Sequence, residues 1–141
     1  GGILPLTEFV KRKKDKDILV RVIVRKTEGN FAYLSHRNTK TDFPVLAVGI
    51  GAMKEELIVS VGARPMEAMR VPIKPEQKAL LESDTCTEKD VKLIAGELAA
   101  RVPTGGNMRA SAEYRSHLAD VLIKRGLEKI REGKGVREYA D

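Results

Sequence analysis

The sequence predicts an α+β fold: a small three-stranded antiparallel sheet followed by a cluster of three helices. Three observations predict it. Strand-like apolar patterns are confined to the first half of the chain, and capped helical patterns to the second. The two central strand candidates are also separated by only a short turn, which favours an antiparallel hairpin over a crossover.

Ile18 to Arg25 alternates, with Ile18, Val20, Val22 and Val24 on one face and Leu19, Arg21, Ile23 and Arg25 on the other. That is the pattern of a half-buried strand. Glu28-Gly29-Asn30 breaks it. Phe31 to Arg37 reads as one or two helical turns and Asn38 to Asp42 as a polar loop. Phe43-Pro44 leads into Val45 to Ile50, a short continuously apolar run that fits a buried central strand. Gly51 to Lys54 is a turn and Leu57 to Val61 the next strand, ended by Gly62-Ala63-Arg64-Pro65.

Pro75 suits the first position of a helix over Pro75 to Glu82. Thr87 reads as an N-cap, with Glu88 and Asp90 in the first turn where the helix dipole favours negative charge. Val91, Ile94, Ala95, Leu98 and Val102 then follow the spacing of one helix face, and Pro103, Gly105 and Gly106 stop it. Ser111 caps the last and longest helix, which runs to about Ile130.

On that helix Ala112, Tyr114, Leu118, Ala119, Val121, Leu122, Ile123, Gly126 and Ile130 share one broad arc. Glu113, His117, Asp120, Lys124 and Glu128 lie opposite, where Glu113/His117 and Asp120/Lys124 have the spacing of favourable i, i+4 pairs. His117 is thereby read as a surface residue. Arg115 and Arg125 project into the apolar arc, where an unpaired guanidinium is costly. With Arg109 and Tyr114 they are expected to form a polar lock, structural or docking in role.

The chain has 141 residues, enough for one domain with one sizeable core, and its 42% hydrophobic and 33% charged content is that of a folded, water-compatible protein. The formal net charge of +6 raises a nucleic-acid or acidic partner. Much of that excess is local, in Lys11-Arg12-Lys13-Lys14 and around Lys129, Arg131, Lys134 and Arg137, as solvated charge runs are. Aromatic residues are only 4%, with no basic–aromatic interleaving of the kind RNA-binding strands show. One cysteine, Cys86, excludes an internal disulfide and suits a reducing, cytoplasmic setting. The longest apolar run, Phe43 to Met53, is far short of the roughly 20 residues of a membrane helix. The opening Gly1-Gly2 carries no initiator methionine and reads as the start of a fragment.

Catalytic chemistry is not legible. Two histidines and one cysteine make no ordinary zinc site, and CxxC or HExxH spacing is missing. Gly49-Ile50-Gly51 follows a strand but precedes another strand, not the helix a phosphate loop requires. Cys86 follows Ser83-Asp84-Thr85, an acidic setting that does not activate a thiol. No catalytic residue and no metal ligand is assigned, and the chain alone is not expected to be an active enzyme.

Three motifs in order, "FAYLSHRNTKTDFPVLAVGI", "VSVGARPMEAMRV" and "RASAEYRSHLADVLIKRGLEKI", resemble the C-terminal domain of the FAD-binding subunit of molybdenum hydroxylases, the xanthine dehydrogenase and carbon monoxide dehydrogenase flavoprotein family. The resemblance covers Phe31 to about Ile130, with Ser111-Ala112-Glu113-Tyr114-Arg115 its most specific part. It implies a three-stranded antiparallel sheet with a helical cluster. It divides the chain into a lead-in over residues 1–16, at the junction to an FAD-binding region; a flavoprotein C-terminal domain over 17–134; and a tail over 135–141. It further implies FAD as cofactor, held mainly by an N-terminal region of the same polypeptide. The implied partners are molybdenum-binding and iron–sulfur subunits, with no membrane; the implied role is to wall the flavin site while electrons pass from iron–sulfur clusters through FAD to an acceptor. Carried onto this chain, the wall falls on Tyr33 to Asp42, with Tyr33, Ser35, Arg37 and Asp42 as cofactor-side residues. Ser35 stands where the family usually has a lysine. The competing expectation is an independent basic module that docks nucleic acid or an acidic protein without catalysis.

Overall fold

A computed structural model describes residues 2–13, 16 and 18–137. Gly1, Lys14 of the basic run and the tail beyond 137 lie outside the described residues. The elements run α1 (Leu6–Phe9), β1 (Asn30–His36), β2 (Leu46–Ala52), β3 (Leu57–Gly62), β4 (Met69–Val71), α2 (Pro75–Glu82), α3 (Glu88–Ala99), α4 (Ala112–Arg131) and β5 (Val136–Arg137). One antiparallel sheet has the order β4-β3-β2-β1-β5. The α+β class is as the sequence predicts, with β1–β4 preceding α2–α4; α1 and β5 are short additions at the two ends of the described chain. The three-stranded meander β1–β2–β3 is flanked by two very short edge strands.

Two elements correct the sequence reading. Phe31 to Arg37 is not helical: Asn30–His36 forms β1, paired along its whole length with β2 from Asn30 opposite Ala52 to His36 opposite Leu46. Ile18 to Arg25, expected to be the first strand, joins no strand of the sheet among the described residues, and every one of its residues is exposed. The ladder offered by β2 decides the first case, because a strand with a ready partner satisfies its backbone groups without needing strong alternation of its own.

The helices begin as predicted. The Thr87 hydroxyl accepts from the Asp90 amide, and the Asp90 carboxylate accepts from the Thr87 amide, closing a capping box. The Ser111 hydroxyl accepts from the Tyr114 amide at the start of α4. Pro75 occupies the first turn of α2. The expected Asp120/Lys124 pair gives way to Lys124 bonding Glu88 of α3 at 3.0 Å and Glu128 at 3.3 Å.

One face of the sheet carries the core. Val48, Ile50, Val59 and Val61 meet Leu118, Ala119, Leu122 and Ile123 of α4 and Val91, Ile94 and Leu98 of α3 in a single apolar cluster. Helix α4 crosses close over β1 and β2 because residue 126 is glycine: a Cβ there would stand 2.6 Å from Ile50 Cδ1 and 3.2 Å from Leu34 Cδ1. Asn30 Nδ2 donates to the Ile130 carbonyl at 2.9 Å and ties the start of β1 to the end of α4. Arg125, expected on the apolar arc, is exposed, and Tyr114 is 43% exposed. Gly126 and Leu127 take the buried arc beside it.

Candidate functional site

Strand alternation sorts the sheet into two unlike faces. Leu34 and Ile50 point to α4, so Phe31, Tyr33 and Ser35 of β1 point the other way, with Ala47, Gly49 and Gly51 of β2 and Ile58, Ser60 and Gly62 of β3. Most of these are small. Cross-strand register places Tyr33 opposite Gly49, Gly49 opposite Ser60, and Ser60 opposite Arg70 of β4. A side chain added at Gly49 would meet no atom within 4 Å. Tyr33 stands at one end of this row, 65% exposed. The row is therefore a shallow floor of Gly and Ser between an aromatic ring and an arginine, about three strand spacings or ~14 Å across.

Beyond Tyr33 the chain enters a cross-braced loop. The Arg37 guanidinium donates to the Asp42 carbonyl oxygen at 2.7 Å through Nη1 and to Ser35 Oγ at 3.5 Å through Nε. The Asp42 carboxylate accepts from the Phe43 amide at 2.7 Å and from Arg109 Nε and Nη2 at 3.4 Å. Arg109 also lies 5.6 Å over the Phe43 ring, and Asn38 Nδ2 donates to its carbonyl oxygen. Tyr33, Ser35, Arg37 and Asp42 thus form one continuous run. Asp42 has its carboxylate turned to Arg109, which makes it the brace that fixes the run rather than an open ligand. Next to it, the Tyr114 hydroxyl and His36 Nε2 are 3.2 Å apart, with the rings edge to face.

Behind the loop sits Arg115, 1% exposed. Its guanidinium donates to the carbonyl oxygens of Val45 at 2.9 Å and of Gly105 and Ala110 at 2.7 Å, and to Asn107 Oδ1 at 2.7 Å. None of these partners is a carboxylate. Dipoles alone satisfy the buried charge, and in return it gathers β2 and the loop 103–110 around the start of α4. Of the four residues expected in a polar lock, Arg109 bonds Asp42, Tyr114 lies against His36 and Arg115 bonds the loop carbonyls, whereas Arg125 is exposed.

Sequence reasoning missed a second arginine of the same kind. Arg64 is buried and donates to the carbonyl oxygens of Glu67 and Pro103 at 2.8 Å, while its own carbonyl oxygen accepts from the Gly105 amide. Ala63 before it has φ +57°, a left-handed backbone that L-residues adopt at a cost. The signal was the Gly62-Ala63-Arg64-Pro65 run, read as a strand terminator and as part of a family motif but not as a buried arginine.

No three or more His, Cys, Asp or Glu side chains gather to hold a metal among the described residues. Cys86 is buried, with Sγ 3.8 Å from the Thr87 carbonyl oxygen. No helix among the described residues is long and apolar enough to cross a membrane.

A family profile for the CO dehydrogenase flavoprotein C-terminal domain matches residues 32–130, well over half of the chain. The chain belongs to that family. No curated protein matches the sequence significantly. Solved structures share the fold. Quinoline 2-oxidoreductase from Pseudomonas putida 86 superposes with a TM-score of 0.61 at 15% identity, over 74% of this chain and 38% of that one. Carbon monoxide dehydrogenase from Hydrogenophaga pseudoflava, in a form lacking the Mo-pyranopterin moiety of its cofactor, gives 0.61 at 17% identity, over 74% and 37%. A cyanide-inactivated Cu,Mo-CO dehydrogenase gives 0.59 at 16%, over 78% and 39%. The chain thus spans under two fifths of the length of these structural relatives. The matched region opens at Ala32, one residue before Tyr33, and takes in the braced loop, the small-residue floor and both buried arginines.

Proposed function

We propose that this chain is the part of a molybdenum-hydroxylase-type FAD-binding subunit that walls the flavin site. It is not the part that holds most of the cofactor. The observation that carries this reading is the sheet face turned away from α4, where exposed Tyr33 borders a floor that glycine keeps open at position 49. A flat ring system fits such a place: Tyr33 offers a π-face, and the small floor lets a plane approach the backbone. Ser35 Oγ offers a hydrogen bond beside it, and Arg37 and Asp42 hold the segment in shape. FAD, when bound, would supply the capacity to accept and release electrons; the residues here would position its ring and exclude water. On this reading the remaining cofactor contacts, and the molybdenum-binding and iron–sulfur subunits that complete electron transfer to an acceptor, would lie on other polypeptide; the greater length of the structural relatives, two to three times the shared region, supports it.

The test is FAD titration of the natural polypeptide containing this chain, followed by flavin fluorescence. Tyr33→Ala should weaken binding by about 3- to 10-fold and change the fluorescence, whereas Tyr33→Phe should retain both. Gly49→Leu, which the open space lets the fold accept, should block the ring. Unchanged affinity and fluorescence in both Tyr33→Ala and Gly49→Leu would refute the assignment.

A further inference from the structure

Ile18 to Arg25 has the strongest strand pattern in the sequence and no sheet. Its even-numbered residues are all apolar, and Ile18, Val20 and Val24 are each more than 80% exposed. Its odd-numbered face mixes Leu19 and Ile23 with Arg21 and Arg25. A row of β-branched residues on one side and arginines on the other describes a strand that covers a core on one face and meets water on the other.

Among the described residues the domain's own sheet does not take the segment up. A hairpin from this segment would have to start against the beginning of β1, and there Asn30 and Phe31 already pair with Arg137 and Val136. A second copy does not provide a place for it either. Two such segments would make a two-stranded ribbon with the apolar row still in water, and ribbons of that kind are marginal. The occupant has to be a sheet that already possesses a core.

We propose that Ile18–Arg25 is donated as a strand to the edge of a sheet in the region of the same polypeptide that holds FAD. This rests on the function proposed above and gives it a geometry. Only seven residues lie between Arg25 and Tyr33, so the two are at most about 28 Å of extended chain apart. A strand fixed in the neighbouring sheet therefore sets the distance and direction from which the Tyr33 face meets the flavin. Main-chain hydrogen bonds supply the attachment, and the apolar row supplies its register, because a slip by one residue would turn Arg21 and Arg25 into the core.

The experiment is amide hydrogen exchange on residues 18–25, in this chain by itself and in the natural full-length polypeptide, with FAD content measured on the same samples. The expected result is coil-like exchange in the isolated chain and exchange slowed by about a hundredfold or more in the full polypeptide. Val22→Pro, which removes one ladder donor, should restore fast exchange across the segment while β2 and α4 stay protected. Fast exchange in both proteins overturns the proposal. So does protection already present in the isolated chain, whether as a monomer or as a dimer by light scattering, since the partner would then lie within this chain or its copy. Protection in a full polypeptide that binds no FAD would keep a strand clasp but refute the flavin reading. FAD bound with residues 18–25 still unprotected would do the reverse.

Discussion

Replacing Arg115 by methionine keeps much of the side chain's volume and removes all of its donors. In the native protein this guanidinium, at 1% exposure, donates four hydrogen bonds of 2.7 to 2.9 Å, three to backbone carbonyl oxygens and one to Asn107 Oδ1. Each buried acceptor left without a donor costs about 1–3 kcal/mol, and part of that is recovered where the loop relaxes or water enters. The released charge no longer has to be buried, which offsets some of the loss. A net destabilisation of about 3–5 kcal/mol follows, a large share of the ~5–15 kcal/mol that holds a domain together. At about 3 °C per kcal/mol for a chain of this size, the melting temperature should fall by roughly 10–15 °C. Arg115→Lys should fall between, since one ammonium cannot serve four acceptors spread around a planar fork. The assay is urea unfolding followed by circular dichroism. Because the partners are dipoles and not carboxylates, the loss should be the same at pH 5 and pH 8. An Arg115→Met protein within about 1 kcal/mol of the parent would refute the claim that this residue organises the loop 103–110. A strongly pH-dependent loss would refute the dipole account.

Gly126→Ala should destabilise by about 1–2 kcal/mol despite alanine's better helix propensity, because Ile50 and Leu34 occupy the space, and Ile50→Val should relieve part of it in a double-mutant cycle by denaturant titration. Ser111→Ala should cost about 1 kcal/mol through the lost cap, read by the same titration. Lys124 has its pKa raised, first by its hydrogen bond to Glu88 and then by that to Glu128, so its stabilisation is full below its usual 10.5 and is lost as pH rises through the higher folded value. Glu88, lowered mainly by the same hydrogen bond to Lys124, stabilises above its usual 4.5 and loses that as pH falls through the folded value. Glu88→Gln should therefore flatten both limbs of the stability–pH curve, and an unaltered curve would show the pair to be idle.

The helices were legible because their signals are local: Thr87 and Ser111 cap, Pro75 starts, and the apolar spacing of α3 and α4 names the buried face. The hairpin of β2 and β3 was legible for the same reason. β1 was not, because Phe31-Ala32-Tyr33-Leu34 offers no contrast between its two faces; the ladder from β2, and not any alternation, makes it a strand. Ile18–Arg25 shows the opposite failure, since a period of two tells which face is apolar but not which sheet will take it. At the site, the sequence put Arg115 in the apolar arc but could not say what it bonds, because carbonyl oxygens carry no sequence signature. Tyr33, Ser35, Arg37 and Asp42 came from resemblance, and the structure adds that Asp42 is turned toward Arg109.

Strand order has a consequence for how this body joins others. β1, where the sheet begins, and β5, where the described chain ends, lie side by side at one edge, with Asn30 opposite Arg137. Entry and exit through adjacent strands make the domain a cassette: it can sit within or beside a longer polypeptide without its host having to span it. Mechanical load applied through those two points would first peel two residue pairs of β5 from β1, leaving the meander and α4 untouched. The module would then come loose from its surroundings before it came apart itself.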